Sequence, residues 1–167
     1  MGPGEQRLKR LIVTADDFGA ATAVNEAVEM AFRDGILTAA SLMVAAPASG
    51  DAVRRAKALP GLAVGLHLVV VRGGSTLPAS EVPAITDGDG RFDDNLVRAG
   101  FRYYCSSRAR RQLRAEIRAQ FQAFADTGLA LDHVNTHNHM HLDTRINLHI
   151  LHPRAGDGVF GCFFSGF

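Results

Sequence analysis

The sequence predicts an α/β fold of parallel strands alternating with helices, and two patterns carry that expectation. Continuous apolar runs recur at residues 11–15, 37–44 and 62–71. Such runs suit strands covered on both faces, as parallel strands are beneath their crossover helices. Between the runs stand segments whose apolar residues recur at helical spacing. Strand and helix take turns, which points to a parallel sheet or barrel with helices outside.

The first strand is LIVTA, residues 11–15, and Asp16-Asp17-Phe18-Gly19 ends it. Val24, Ala27, Val28, Ala31 and Phe32 then fall on one helical face, with Gly35 placed as a C-cap. Residues 37–44 read as the second strand, closed by Pro47, and residues 51–59 as a short helix stopped by Pro60-Gly61. Residues 62–71 make the third strand, with His67 in its second half. Residues 73–95 are rich in Gly, Pro and Asp and read as a long loop of the kind that serves as a lid or substrate wall. Residues 108–125 form a helix with Leu113, Ile117, Phe121 and Phe124 on one face, ended by Gly128. Residues 131–135 form a fourth strand leading into Thr136-His137-Asn138-His139-Met140-His141. Residues 154–167 show no periodicity. A closed parallel barrel takes about 200 residues or more. The expectation is therefore one incomplete domain over residues 1–167 with an atypical tail at 142–167, as in a truncated or frameshifted product.

Bulk composition excludes several classes. The chain has 167 residues, 47% hydrophobic and 21% charged, enough for one real core. A net charge of +1 supplies no general attraction to nucleic acid. Cys105 and Cys162 stand far apart, so neither a disulfide framework nor a cysteine metal site is indicated. No apolar run approaches the roughly 20 residues of a membrane span, and the first residues lack the pattern of a signal peptide. A cytoplasmic location is expected.

Position along the strands singles out the candidate site. Asp16 and Asp17 follow strand one, His67 lies near the end of strand three, and His137 follows strand four. The C-terminal ends of parallel strands share one face, where active sites are built. One Asp with two His is a usual ligand set for a catalytic divalent metal that keeps open positions for water. Blander readings compete. An Asp pair after a strand often caps a helix. His67 alone, facing away from Leu66 and Leu68, reads equally as a core histidine that needs a partner. His137, His139 and His141 share one side if the segment stays extended, and stacked imidazoles would repel on protonation, which argues against a purely structural role. His133, His149 and His152 lack such a context and read as surface residues. Arg108, Arg110, Arg111, Arg114 and Arg118 read as a solvated face partly balanced by Glu116 and Asp126. The sharper reading is a docking surface for anionic headgroups, which would place the protein at the inner face of the membrane. Other classes stay open: a metal-dependent amidohydrolase or phosphoesterase on a β/α barrel, and a non-catalytic fragment.

Three segments carry a family resemblance. Thr14-Ala15-Asp16-Asp17-Phe18-Gly19 with Val24-Asn25-Glu26-Ala27, then Gly65-Leu66-His67-Leu68, then Asp132-His133-Val134-Asn135-Thr136-His137-Asn138-His139-Met140-His141, resemble in order the motifs of YdjC-like carbohydrate deacetylases. Residues 111–124 and 131–135 look closest to the hopanoid biosynthesis-associated branch. The resemblance implies a distorted β/α barrel of the sugar deacetylase type. It implies a divalent metal, Mg²⁺ or else Zn²⁺, held at the positions of Asp17, His67 and His137, with Asp16 as general base. The implied substrate is an acetylated amino sugar, lipid-linked as an N-acetylglucosaminyl hopanoid in that branch. A group that protonates the leaving amine is also needed, and His139 and His141 are candidates. After His141 the match fails: Leu142-Asp143-Thr144-Arg145 stands where the family places a proline and a long helix.

Overall fold

The computed structural model describes residues 11–138, so His139, His141, His149, His152 and the 142–167 tail lie outside the described residues. The elements run β1 Thr14–Phe18, α1 Thr22–Asp34, β2 Ala39–Leu42, α2 Ser49–Lys57, β3 Ala63–Leu68, α3 Leu96–Cys105, α4 Ser107–Asp126 and β4 Val134–Thr136. The strands are parallel and lie in the order β1-β2-β3-β4. Each new strand adds beside the one before it. That is the layout along one side of a β/α barrel, whereas a doubly wound sheet reverses direction partway.

Alternation along the strands separates two faces. Ala40, Leu42, Val64, Leu66, Leu68 and Val134 are buried and join Val28, Ala56, Leu113, Ile117 and Phe124 in one apolar core. The opposite positions carry polar or small residues in register, with Ser41 beside Gly65 and His67 beside Asn135.

The strands differ from the apolar runs that announce them. β1 starts at Thr14, not residue 11, and continues through both aspartates to Phe18. Leu11 and Ile12 are about three-quarters exposed, whereas Phe18 is fully buried and accepts a hydrogen bond from Met43 N at 2.8 Å. Burial of Phe18 draws the end of the strand forward. β2 and β3 are shorter than their runs because Leu37, Met43, Val69, Val70 and Val71 are buried beyond the ladder. β4 runs from Val134 to Thr136, so it starts three residues later and ends one residue later than the segment 131–135 expected to form it.

α3 was not anticipated. Asn95 caps it by accepting from Arg98 N at 3.0 Å, and Ala99 and Tyr103 face the core. Val97, Phe101 and Tyr104 are exposed on the same helix, so no clean apolar stripe marks it in the sequence. Gly35 is the residue after α1, as expected, but its φ is −119°, not the left-handed value. A Cβ there would stand 2.7 Å from the carbonyl oxygen of Ala31, so close approach explains the glycine. Gly128 after α4 does adopt φ +73°.

The long segment after β3 is tied down by side chains. One amide, Gln120, accepts from Val69 N and donates to Val69 O, replacing a neighbouring strand. Tyr103 Oη donates to Val70 O at 2.6 Å. Glu116, expected as a surface counter-charge, is fully buried and accepts from Thr76 N and Leu77 N at 2.8 and 3.0 Å. Gln112 accepts from Ala84 N at 2.7 Å. His133, expected at the surface, is packed instead. Its Nε2 lies 3.0 Å from Ser41 Oγ and its Nδ1 3.0 Å from Asp132 Oδ2. Its ring occupies the space a Cβ on Gly65 would need, 2.5 Å away. None of the described helices is long and apolar enough to cross a membrane.

Candidate metal centre

The site begins with an irregularity at the C-terminal end of β1. Ala15 pairs with Ala40 and Phe18 with Leu42, so β1 holds one more residue than β2 over this stretch. Such a bulge re-aims side chains at a strand end. Asp17 occupies it with φ +59°, a conformation rare outside glycine and more tolerable for Asp than for most residues. Adjacent side chains diverge on a regular strand, but here Asp16 and Asp17 both approach His67. The turn that follows is clamped by Asn25, itself fully buried. Its Oδ1 accepts from Gly19 N at 2.8 Å, and its Nδ2 donates to Ala48 O and to Asp51 Oδ2. Gly19 is required there: its φ is +102°, and a Cβ would press on Met43 O at 3.1 Å and Ser49 Cα at 3.2 Å. The Asp pair therefore caps no helix, and Ala21 stands at the N-cap of α1.

Three side-chain atoms face one another across the mouth of the sheet. Asp17 Oδ1 is 3.2 Å from His67 Nε2 and 3.1 Å from His137 Nδ1. His67 Nε2 is 3.2 Å from His137 Nδ1, with the rings nearly perpendicular at 80°. These edges make a nearly equilateral triangle. Ligands about 2.1 Å from a divalent ion stand about 3.0 Å apart when cis in an octahedron and about 3.4 Å apart in a tetrahedron. The observed spacing falls between these values. The distances alone would admit ion pairs, yet Asp17 Oδ1 is buried and accepts no hydrogen bond. A buried carboxylate oxygen without a partner is costly. An orphaned oxygen facing two imidazole nitrogens fits a cation. Among the described residues, Asp17, His67 and His137 are the group of His, Cys, Asp or Glu that could hold a metal ion.

His67 is 2% exposed, and its buried ring has the partner such a residue requires. Its Nδ1 lies 2.7 Å from Asn135 Oδ1. Asn135 Nδ2 donates to Asp16 Oδ1 at 2.6 Å, and that oxygen is 3.8 Å from His67 Nδ1. Burial pushes the His67 imidazole below its ordinary value, against the opposing pull of the Asn135 hydrogen bond and of the Asp16 and Asp17 carboxylates. A neutral ring is the form that binds a metal.

Sequence position thus brings Asp17, His67 and His137 together and sets Asp16 beside them without placing it in the triangle. The strand stops at Thr136 and Asn138 takes φ +54°, so the extended backbone ends at Thr136; the side that His139 and His141 take lies outside the described residues. Asn135 and Asn25 were not singled out as site residues. Only the register, which sets Asn135 beside His67, reveals the first. The second is visible only once Gly19 is seen to turn beneath it.

Similarity to known proteins extends over most of the chain. The family described as YdjC-like protein matches residues 10–152, so the similarity runs past His141, where the match was expected to fail. A carbohydrate deacetylase of Brevibacillus brevis is 39% identical over 79% of this chain and 50% of its own length. A carbohydrate deacetylase of Vibrio cholerae serotype O1 is 34% identical over 92% of this chain and 63% of its own length. A crystal structure from Enterococcus faecalis V583, named for cellobiose-phosphate cleavage, superposes with a TM-score of 0.74 at 26% identity, covering 84% of this chain and 53% of that one. The chain spans about half to two-thirds of the length of these relatives.

Proposed function

Because this chain belongs to the YdjC-like family, we propose that it carries the metal-binding part of a carbohydrate N-deacetylase, a hydrolase that removes the acetyl group from an acetylated amino sugar. The triangle of Asp17 Oδ1, His67 Nε2 and His137 Nδ1, with its orphaned buried oxygen, is the observation that carries this reading. The metal, when bound, would polarise the acetyl carbonyl and make water a stronger acid.

Asp17, His67 and His137 hold the ion, and burial keeps His67 neutral for that task. Asp16, outside the triangle and hydrogen-bonded to Asn135, accepts the proton of the attacking water as general base. The loop held by Gln112, Glu116 and Gln120 leaves β3 at the same end of the sheet and forms one wall of the sugar site. Protonation of the leaving amine falls to His139, His141 or a residue beyond this chain. Two imidazoles and one carboxylate suit Zn²⁺ better than Mg²⁺, whose preference is for oxygen ligands. The resemblance of residues 111–124 and 131–135 supports an N-acetylglucosaminyl hopanoid as substrate.

Calorimetric titration with Zn²⁺ and with Mg²⁺ tests the centre. One ion per chain is expected, with tighter binding of Zn²⁺ and loss of binding in His67→Ala and in His137→Ala. No uptake of either ion by the folded chain would overturn the reading. In a full-length relative that carries the same motifs, the counterpart of Asp16→Asn should keep its metal and lose turnover by about a hundred- to ten-thousand-fold, the usual contribution of a general base.

A further inference from the structure

We infer that Asn135 is a positioning residue, which fixes the tautomer of His67 from the orientation of Asp16 and so directs a lone pair of His67 into the metal triangle. The register supplies the starting point: Asn135 is the direct neighbour of His67 on the adjacent strand, so both side chains rise from the same face of the sheet. The Asn135 amide spans two groups, with Nδ2 2.6 Å from Asp16 Oδ1 and Oδ1 2.7 Å from His67 Nδ1.

The chemistry of the three groups orders their hydrogen bonds. A carboxylate only accepts, so the amide must turn its NH₂ toward Asp16. Its oxygen is then left facing His67, and an amide oxygen only accepts. His67 Nδ1 must therefore carry the proton. In a neutral ring this leaves Nε2 with its lone pair, and Nε2 is the atom 3.2 Å from both Asp17 Oδ1 and His137 Nδ1. A ring in the other tautomer would point an N–H into the triangle and exclude an ion. Asn135 also holds the proposed base against the ligand histidine, so one neutral side chain sets the geometry of both. Aspartate at this position would still accept from Nδ1 but would repel Asp16.

The inference rests on the metal-centre reading for its purpose, and its test separates the two. Long-range proton–nitrogen correlation spectra of the metal-free chain, labelled at histidine nitrogen, distinguish the two tautomers; His67 is assigned by the signal lost in His67→Gln. The wild-type ring should carry its proton on Nδ1. Asn135→Ala should shift it toward the Nε2–H form and weaken Zn²⁺ binding by about 10- to 100-fold, the range for partners that orient a ligand. Asn135→Asp should keep the Nδ1–H form. A wild-type His67 protonated on Nε2 overturns the inference, and this spectrum decides even if the alanine variant fails to melt cooperatively. An unchanged tautomer and unchanged Zn²⁺ affinity in a folded Asn135→Ala chain also overturn it. A chain that binds no Zn²⁺ while His67 still switches tautomer upholds the inference and rejects the metal centre.

Discussion

Asp17 sits in a backbone conformation that favours glycine, with an oxygen buried and unpartnered. Both features cost stability, each on the order of 1 kcal/mol or more. A residue kept under such conditions is selected for something other than the fold. Asp17→Gly should therefore melt at the wild-type temperature or above while losing Zn²⁺ binding by more than about 100-fold, beyond what changes at orienting partners produce. A drop of several degrees would show that the carboxylate supports the fold. At this scale much was legible in advance. Asp16, Asp17, His67 and His137 stand out because strand ends can be read from apolar runs and parallel strands share an active end. The Asn135 bridge was not legible, since it depends on which residue of β4 lies beside His67, a matter of register that no local pattern encodes.

Helix α4 shows the same limit at the scale of an element. Its apolar stripe, with Leu113, Ile117 and Phe124 buried, is plain in the sequence. Beside it runs a polar stripe, Gln112, Glu116 and Gln120, at the same helical spacing. Polar residues on an amphipathic helix ordinarily face water, and Glu116 was read that way. Here they turn inward because the chain leaving β3 has backbone groups that no strand satisfies. Glu116→Ala would strand the amides of Thr76 and Leu77 and should lower stability by about 1–3 kcal/mol, read as a lower midpoint in denaturant with an unchanged slope; an unchanged midpoint would show that water replaces the carboxyl. At the start of α3, the Arg98 guanidinium beside Asp93 lowers the Asp93 carboxyl to about 2. A carboxyl lowered on folding stabilises the protein above the ordinary carboxylate range, and that contribution disappears as pH falls from about 4 toward 2. Asp93→Asn should flatten the acid limb of the melting-temperature profile over that window. Equal acid limbs in variant and wild type would show that the pair contributes nothing.

At the scale of the molecule, four parallel strands in sequential order leave both edges of the sheet without a neighbouring strand among the described residues. Leu11, Ile12, Met30 and Ile36 are largely exposed. A groove of about 440 Å³ opens between β1 and α1, lined by Ala15, Ala23, Val24, Ala27, Val28 and Ala31, with Asp16 at its edge. Open sheet edges with apolar borders invite pairing between chains. The 167-residue chain should therefore self-associate in a concentration-dependent way, and light scattering across a dilution series should show mass rising above that of one chain. A monomer throughout would show that the edges are protected. The α/β class and the alternation of elements were readable because apolar runs and helical periods differ so clearly. The strand limits were not, because burial extends past the ladder at Met43 and Val69, and α3 escaped notice because half of its apolar residues face outward.

The sequential strand order also sets a timetable. Each strand pairs with the one synthesised before it, so the sheet can grow in the order in which the ribosome releases it. Asp16 and its bridge partner Asn135 are 119 residues apart. At about 5–20 residues per second, the aspartates emerge roughly 6 to 24 seconds ahead of the strand that completes their surroundings. During that interval β1, β2 and β3 can assemble with the Asp pair and His67 in place, but without Asn135 to orient the ring or His137 to close the triangle. Any ion taken up by the proposed centre would therefore arrive after β4, and a nascent chain stalled before β4 would hold Asp17 and His67 without His137.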